Sequence, residues 1–224
     1  MDAAKCRVKG SDFNGVFCTA SDNLIFGPLH LTKKEHDILT STLHVEVLEI
    51  SIAESSLVGL FSRINSNGIL LSNLATDEEV TMIKEKAPGI NVGVLHSDIN
   101  AIGSNVLAND KIAIVNHEYQ HSEMKQIGDV LGVEVVKSEI GGYRTVGANN
   151  ILTNSGLVIN NRAADFEERE WEGMTKFKTI RTTANTGALA IGLAVVANSK
   201  GVVAGEATTG FELNRIIQGL DHNQ

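Results

Sequence analysis

Two cysteines, Cys6 and Cys18, and seven histidines offer this chain its main scope for covalent or metal chemistry. A thiol becomes a nucleophile when its pKa is lowered or a base takes its proton. Cys18 lies in "GVFCTA", a strand-like apolar run in which a small buried residue is the expected role. His117 and His121 are the single pair spaced i, i+4, which on a helix would share a face and could chelate a metal ion. They straddle an expected helix start near Gln120 and have no evident third ligand. Neither a G-x-x-x-x-G-K-[ST] phosphate loop nor an H-E-x-x-H zinc pair occurs. The carboxylates that do recur regularly are Glu35, Glu79, Glu123, Glu167 and Glu212, and their spacing asks what elements position them.

Five glycines answer in the same register. Val58-Gly59, Ile102-Gly103, Val146-Gly147 and Ile191-Gly192 are joined by the weaker Asn14-Gly15, giving steps of 44, 44, 44 and 45 residues. Each glutamate stands twenty residues after its glycine. Five glutamates at five preset positions is a coincidence on the order of one in a hundred thousand at average usage. Thr32, Thr76 and Thr209 stand three residues before three of them, the T-x-x-E of a capping box, so the glutamates read as helix starts and not as acid catalysts. Apolar spacing supports the helices: Met124, Ile127 and Leu131 in the third copy, and Leu213, Ile216 and Leu220 in the fifth. In "DFEEREWEGM" the acidic residues should face solvent, with Phe166, Trp171 and Met174 inward. Asp77-Glu78-Glu79 suits a helix N-terminus, where negative charge complements the dipole.

Before each helix lie two short apolar segments around a turn, as in "GLFSRI", "NSNG", "ILLS"; Gly68, Gly156 and Gly201 are expected to supply positive φ there. After the helix comes another strand: "VEVLEI" (45–50), "INVGVLH" (90–96), "VEVVKSE" (133–139) and "FKTIRT" (177–182). The unit is strand-strand-helix-strand, with repeats near 14–57, 58–101, 102–145, 146–190 and 191–224. The fifth copy lacks its last strand, while "KCRVKG" (5–10) is a strand candidate with no helix of its own. A ring in which the N-terminal strand completes the fifth unit uses both facts and removes open sheet edges. The expectation is therefore one closed-ring domain over residues 1–224.

The chain carries 19 Lys+Arg against 27 Asp+Glu, a net charge of −8, which argues against broad capture of nucleic acid through its phosphates. Two cysteines are too few for a disulfide framework. "MDAAKCRVKG" lacks the apolar stretch of a signal peptide, "TGALAIGLAVVAN" is too short to span a bilayer, and no N-x-[ST] sequon occurs. A reduced, cytoplasmic setting is expected, with no membrane partner.

Five strand-strand-helix-strand copies closed with an offset resemble the pentein fold, a five-bladed α/β propeller with pseudo-fivefold symmetry. "SSLVGLFSRINSNGILL" (55–71), "AIGSNVLANDKIAIV" (101–115), "VLGVEVV" (130–136), "TVGANNILTNSGLV" (145–158), "TANTGALAIG" (183–192) and "ANSKGVVAGEATTGFEL" (197–213) resemble the translation initiation factor 6 family, in order along the whole chain. The His-Pro steps common in that family are replaced by "VNHEY" and "INNRA", and the asparagine usual after the third anchor glycine is Ser104, followed by Asn105. The resemblance implies binding and not turnover. Its implied partner is the large ribosomal subunit, chiefly a ribosomal protein beside the sarcin-ricin loop with limited rRNA contact, so that the small subunit cannot join. It implies a monomer with no cofactor, no metal and no DNA.

Other penteins modify guanidino groups with a cysteine late in the chain, and here no cysteine follows Cys18. That enzymatic alternative is disfavoured, and a ligand-binding scaffold using the central channel is the third reading. For ribosome binding, the repeat geometry points to residues just past the anchor glycines and in the adjoining connections: Leu60, Arg63, Ser104, Asn105, Arg144, Asn149 and Asn185. Leucine, asparagine and a few arginines would suit a protein partner with some RNA at its rim.

Overall fold

A computed structural model describes residues 1–221. Strand β1 (Asp2–Cys6) precedes a first unit of α1 (Asn14–Phe17), β2 (Thr19–Ala20), β3 (Ile25–Pro28), α2 (Lys33–Leu43) and β4 (Val47–Ile50). The second holds α3 (Val58–Phe61), β5 (Ser62–Ile64), β6 (Gly68–Ser72), α4 (Asp77–Lys86) and β7 (Asn91–Leu95). The third holds α5 (Ile102–Asn105), β8 (Val106–Ala108), β9 (Ile112–Val115), α6 (His121–Leu131) and β10 (Glu134–Lys137). The fourth holds α7 (Val146–Asn149), β11 (Ile151–Leu152), β12 (Leu157–Asn160), α8 (Asp165–Thr175) and β13 (Thr179–Thr182). The fifth holds α9 (Ile191–Ala194), β14 (Val195–Ala197), β15 (Gly201–Gly205) and α10 (Gly210–Leu220), and residues 222–224 lie outside the described part.

Each unit makes a three-stranded sheet in which a hairpin is joined, through the long helix, by a parallel third strand. In the fifth sheet that third place is taken by β1, which pairs with β15 from Asp2↔Gly201 to Cys6↔Gly205. The result is a five-bladed α/β propeller closed by its N-terminal strand. No blade has a core of its own. Leu70 and Leu95 of the second unit cluster with Val106, Ile127 and Leu131 of the third, and Val196 and Val203 of the fifth with Cys18 and Leu39 of the first. Burial of apolar surface therefore takes place between units, which makes closure part of folding.

The glutamates define which end of the ring is which. Glu35 accepts from the Thr32 cap amide at 2.7 Å and also from Lys9 N at 2.7 Å. Glu79 does the same for Thr76, Ala53 and Glu54, Glu167 for Ala164 and Gly141, and Glu212 for Thr209, Thr186 and Gly187. The residues held outside the caps are in left-handed turns, with φ of 53° at Lys9, 57° at Ala53, 61° at Gly141 and Thr186, and 105° at Gly187. Each of these four carboxylates thus starts a helix and clamps the turn leading into an anchor, while among the described residues Glu123 accepts only from its own cap amide at Gln120. Helix N-termini and anchor helices share one end of the ring, the anchor face. Helix C-termini lie at the other, where Leu131 O and Leu43 O accept from the hairpin-turn side chains of Asn65 and Asn198.

Four local expectations change. "GLFSRI" and its equivalents begin as one-turn helices, not strands, because the anchor must bend sharply over its neighbour. Gly68, Gly156 and Gly201 do not adopt positive φ. They are glycines because the C-terminal end of the next unit's helix presses on them: a Cβ would stand 1.9 Å from Val130 O, 2.2 Å from Gly219 O and 1.9 Å from Thr42 O, respectively. The N-terminal strand is Asp2–Cys6 and not 5–10, since Lys9 and Gly10 are needed for the left-handed turn. Phe166 is 64% exposed instead of inward. It precedes the buried Trp171 by five residues, about 140° away around a helix at 3.6 residues per turn.

Candidate functional site

Around the axis the five anchor glycines form a closed ring. A Cβ on Gly59 would lie 2.2 Å from Gly15 O, one on Gly103 1.8 Å from Gly59 O, one on Gly147 2.2 Å from Gly103 O, one on Gly192 2.1 Å from Gly147 O, and one on Gly15 2.2 Å from Gly192 O. Each one-turn helix offers its carbonyl to the next glycine's Cα, a contact that a side chain forbids. Next to this ring lies a cavity of about 40 Å³, lined by Gly15, Gly59, Gly147 and Gly192 and by first-strand residues including Thr19, Arg63, Leu107, Ile151 and Val196. Beyond it, the hairpin turns close the other mouth. Asn65 donates to Asn109 O at 3.0 Å, Asn109 to Thr153 O at 3.0 Å, and Asn198 to Ser21 O at 3.1 Å. Asn154 bridges Asp22 and Asp110 at 2.8 and 2.7 Å.

Arg63 belongs to this interior. Its Nη2 donates to Gly103 O at 2.5 Å, and burial pulls its pKa down to about 10, which leaves it cationic at neutral pH. Asn105 and Asn149 are also turned inward, each donating to the carbonyl four residues back, Ala101 O at 2.8 Å and Thr145 O at 2.9 Å; Asn105 Oδ1 further accepts from Asn116. Ser104 is buried beside them. Asn185 occupies a left-handed turn and binds Asp12 O and Thr208. Leu60 and Arg144 remain accessible, Arg144 pairing with Glu118 at 2.7 Å and Glu139 at 3.8 Å.

The accessible apolar residues are the signal that the sequence pattern concealed. Phe13 (37% exposed) precedes an anchor, Leu29 and Leu74 follow the central strands toward the helix starts, and Phe166 and Phe211 (76%) stand in first helical turns. These five lie toward the anchor face, with the half-buried Leu60 among them, whereas a sixth, Met82, is exposed in the middle of α4. A large apolar residue one position into a helix looks like core in a linear pattern. Its exposure depends on which way the helix turns.

A nucleophilic role for the thiols does not fit the geometry. Both are buried, and burial pushes Cys6 up to about 11 and Cys18 higher still. Among the described residues, no group of three or more His, Cys, Asp or Glu side chains is disposed to hold a metal ion, and no helix is long and apolar enough to cross a membrane.

Compared with known proteins, residues 3–219 match the eIF-6 family. The chain belongs to that family. Among its relatives are proteins named translation initiation factor 6 from Picrophilus torridus, 35% identical over 96% of this chain and 98% of that one, and from Pyrococcus abyssi, 36% identical over 98% and 99%. The Thermoplasma acidophilum protein of the same name is 36% identical over 95% of this chain and 96% of its own. An agmatine deiminase from C. jejuni superposes with a TM-score of 0.45 at 14% identity, covering 72% of this chain and 60% of that one. Within the eIF-6 family this chain is thus a homologue of a translation factor and not of an enzyme, and the five-bladed architecture rests on its own strand pairings.

Proposed function

We propose that this eIF-6 homologue acts as a monomer in the cytoplasm, docks on the large ribosomal subunit and blocks joining of the small subunit by its bulk, with a role in large-subunit biogenesis. Family membership over nearly the whole chain carries the reading. The anchor face is the surface we assign to docking, because it gathers Phe13, Leu60 and the apolar helix starts, a composition that suits a protein partner better than phosphate backbone. A net charge of −8 is consistent with limited rRNA contact. Clamped turns and a closed core preorganise this face, so little conformational entropy is lost on binding. Of the residues singled out from the repeat, Leu60 and Arg144 fit direct contact; Ser104, Asn105, Asn149 and Asn185 would shape the face from beneath.

Co-sedimentation of the protein with separated ribosomal subunits over a salt series tests this. Saturable binding to the large subunit alone, a shallow salt slope and reduced subunit joining are expected. Leu60→Asp with Phe13→Asp should weaken binding at least tenfold while leaving the fold intact. Absence of large-subunit binding would overturn the proposal.

A further inference from the structure

The axial cavity is lined by a half-buried cation, Arg63, whose guanidinium forms no ion pair among the described residues. The Arg63 guanidinium reaches toward the third and fourth anchors, where its Nη2 meets Gly103 O and lies 3.0 Å from where a Gly147 Cβ would stand. Its Nε is buried and has no protein hydrogen-bond partner among the described residues, and the same is true of Oγ1 of Thr19, a residue 5% exposed on the first blade. Both side chains line the same cavity of about 40 Å³. Two carboxylates, Asp22 and Asp110, lie one layer away in the hairpin turns, where Ser199, Asn154 and the Ser66 amide engage them. Burying a guanidinium is costly unless an opposite charge or a full set of acceptors compensates it.

We propose that this cavity is a binding site for a small monovalent inorganic anion of the chloride class, held by the Arg63 guanidinium and the Thr19 hydroxyl. Charge selects the ligand: one guanidinium calls for one negative charge, and the anionic turns beyond it disfavour a second. Size selects it as well. A water needs roughly 10–15 Å³ of such space, so the cavity admits a halide with one or two waters and excludes carboxylate metabolites or nucleotides. Donors at Nε and Oγ1 suit an acceptor that has no hydrogen of its own. Bound there, the anion would join the first blade to the second.

Crystals of the full chain soaked in bromide and measured at the bromine edge test the site. An anomalous peak in contact with Arg63 Nε and Thr19 Oγ1 is expected. In solution, replacing sodium gluconate by sodium chloride at constant ionic strength should raise the thermal midpoint by about 3–6 °C at a tenfold excess over the dissociation constant. That rise should vanish in Arg63→Met and shrink in Thr19→Val, which keeps the shape and removes the hydroxyl. No anomalous peak, or an equal chloride response in wild type and variants, would overturn the proposal. If Arg63→Met fails to fold, the wild-type bromide crystal decides.

Discussion

Asn198 in the last blade donates its side-chain amide to Ser21 O in the first, at 3.1 Å, across the seam where the chain closes on itself. The same group donates to Leu43 O at 2.9 Å, and its Oδ1 accepts from Lys200 N and Gly201 N. One side chain thus shapes its own turn, ends the neighbouring helix and joins two blades. Asn198→Ala leaves buried carbonyls and amides unpaired and should cost about 2–4 kcal/mol. Urea unfolding measures it, with the exposed Asn23→Ala as a control expected within about 0.5 kcal/mol of wild type.

The glycine ring predicts a contrast between two chemically identical substitutions. Gly103→Ala drives a Cβ to 1.8 Å from Gly59 O and should cost at least about 3 kcal/mol, since backbone on both sides must move. Gly173→Ala, inside α8 with nothing within 4 Å of the new atom, should instead stabilise by up to about 1 kcal/mol through helix propensity. Thermal denaturation of the two variants tests both signs.

Acid sensitivity should centre on the turn clamps. Burial of Glu212 opposes its ionisation, yet hydrogen bonds from Thr183, Thr209 and Gly187 outweigh that and hold its pKa at about 2; Glu35 and Glu79 are lowered in the same manner. An unfolded glutamate titrates near about 4.3. The folded state therefore binds fewer protons in this range, so the clamps' stabilisation is fully present above that value and is lost as pH falls toward 2. Wild-type stability should drop between about pH 5 and pH 2. Glu212→Gln should be less stable at neutral pH and flatter across that window. An unchanged pH profile in the variant would contradict the assignment.

Blades three and four lack the threonine that caps the other helices. Ala164 occupies a cap position in extended backbone, and only the return bond from its N–H to Glu167 exists, at 2.6 Å. Ala164→Thr supplies the missing acceptor and should stabilise by about 1 kcal/mol, roughly 2–4 °C in the thermal midpoint.

Both thiols should be silent in the native protein. With Cys6 and Cys18 buried and their pKa values raised, the thiolate is scarce and shielded. Alkylation by iodoacetamide at pH 8 should require denaturant, and rapid labelling of the native chain would show that the seam between blades five and one opens.

Period, capping glutamates and ring closure could be read from residue types because each is a local rule repeated five times: a glutamate three residues after a cap acts on its own helix wherever that helix lies. The positions that needed three dimensions are those where one blade meets the next. Gly59, Gly68 and their equivalents are invisible as contact glycines in a linear pattern, because the atoms that exclude a side chain come from a neighbouring repeat, as far off as Val130 O for Gly68. Arg63 reads as a surface residue of a strand until the pleat and the ring's curvature turn it toward the axis, and Phe166 reads as core until helix phase turns it outward. Local hydrogen-bond chemistry is written in sequence order. Packing between repeats depends on distances that exist only once the ring has closed.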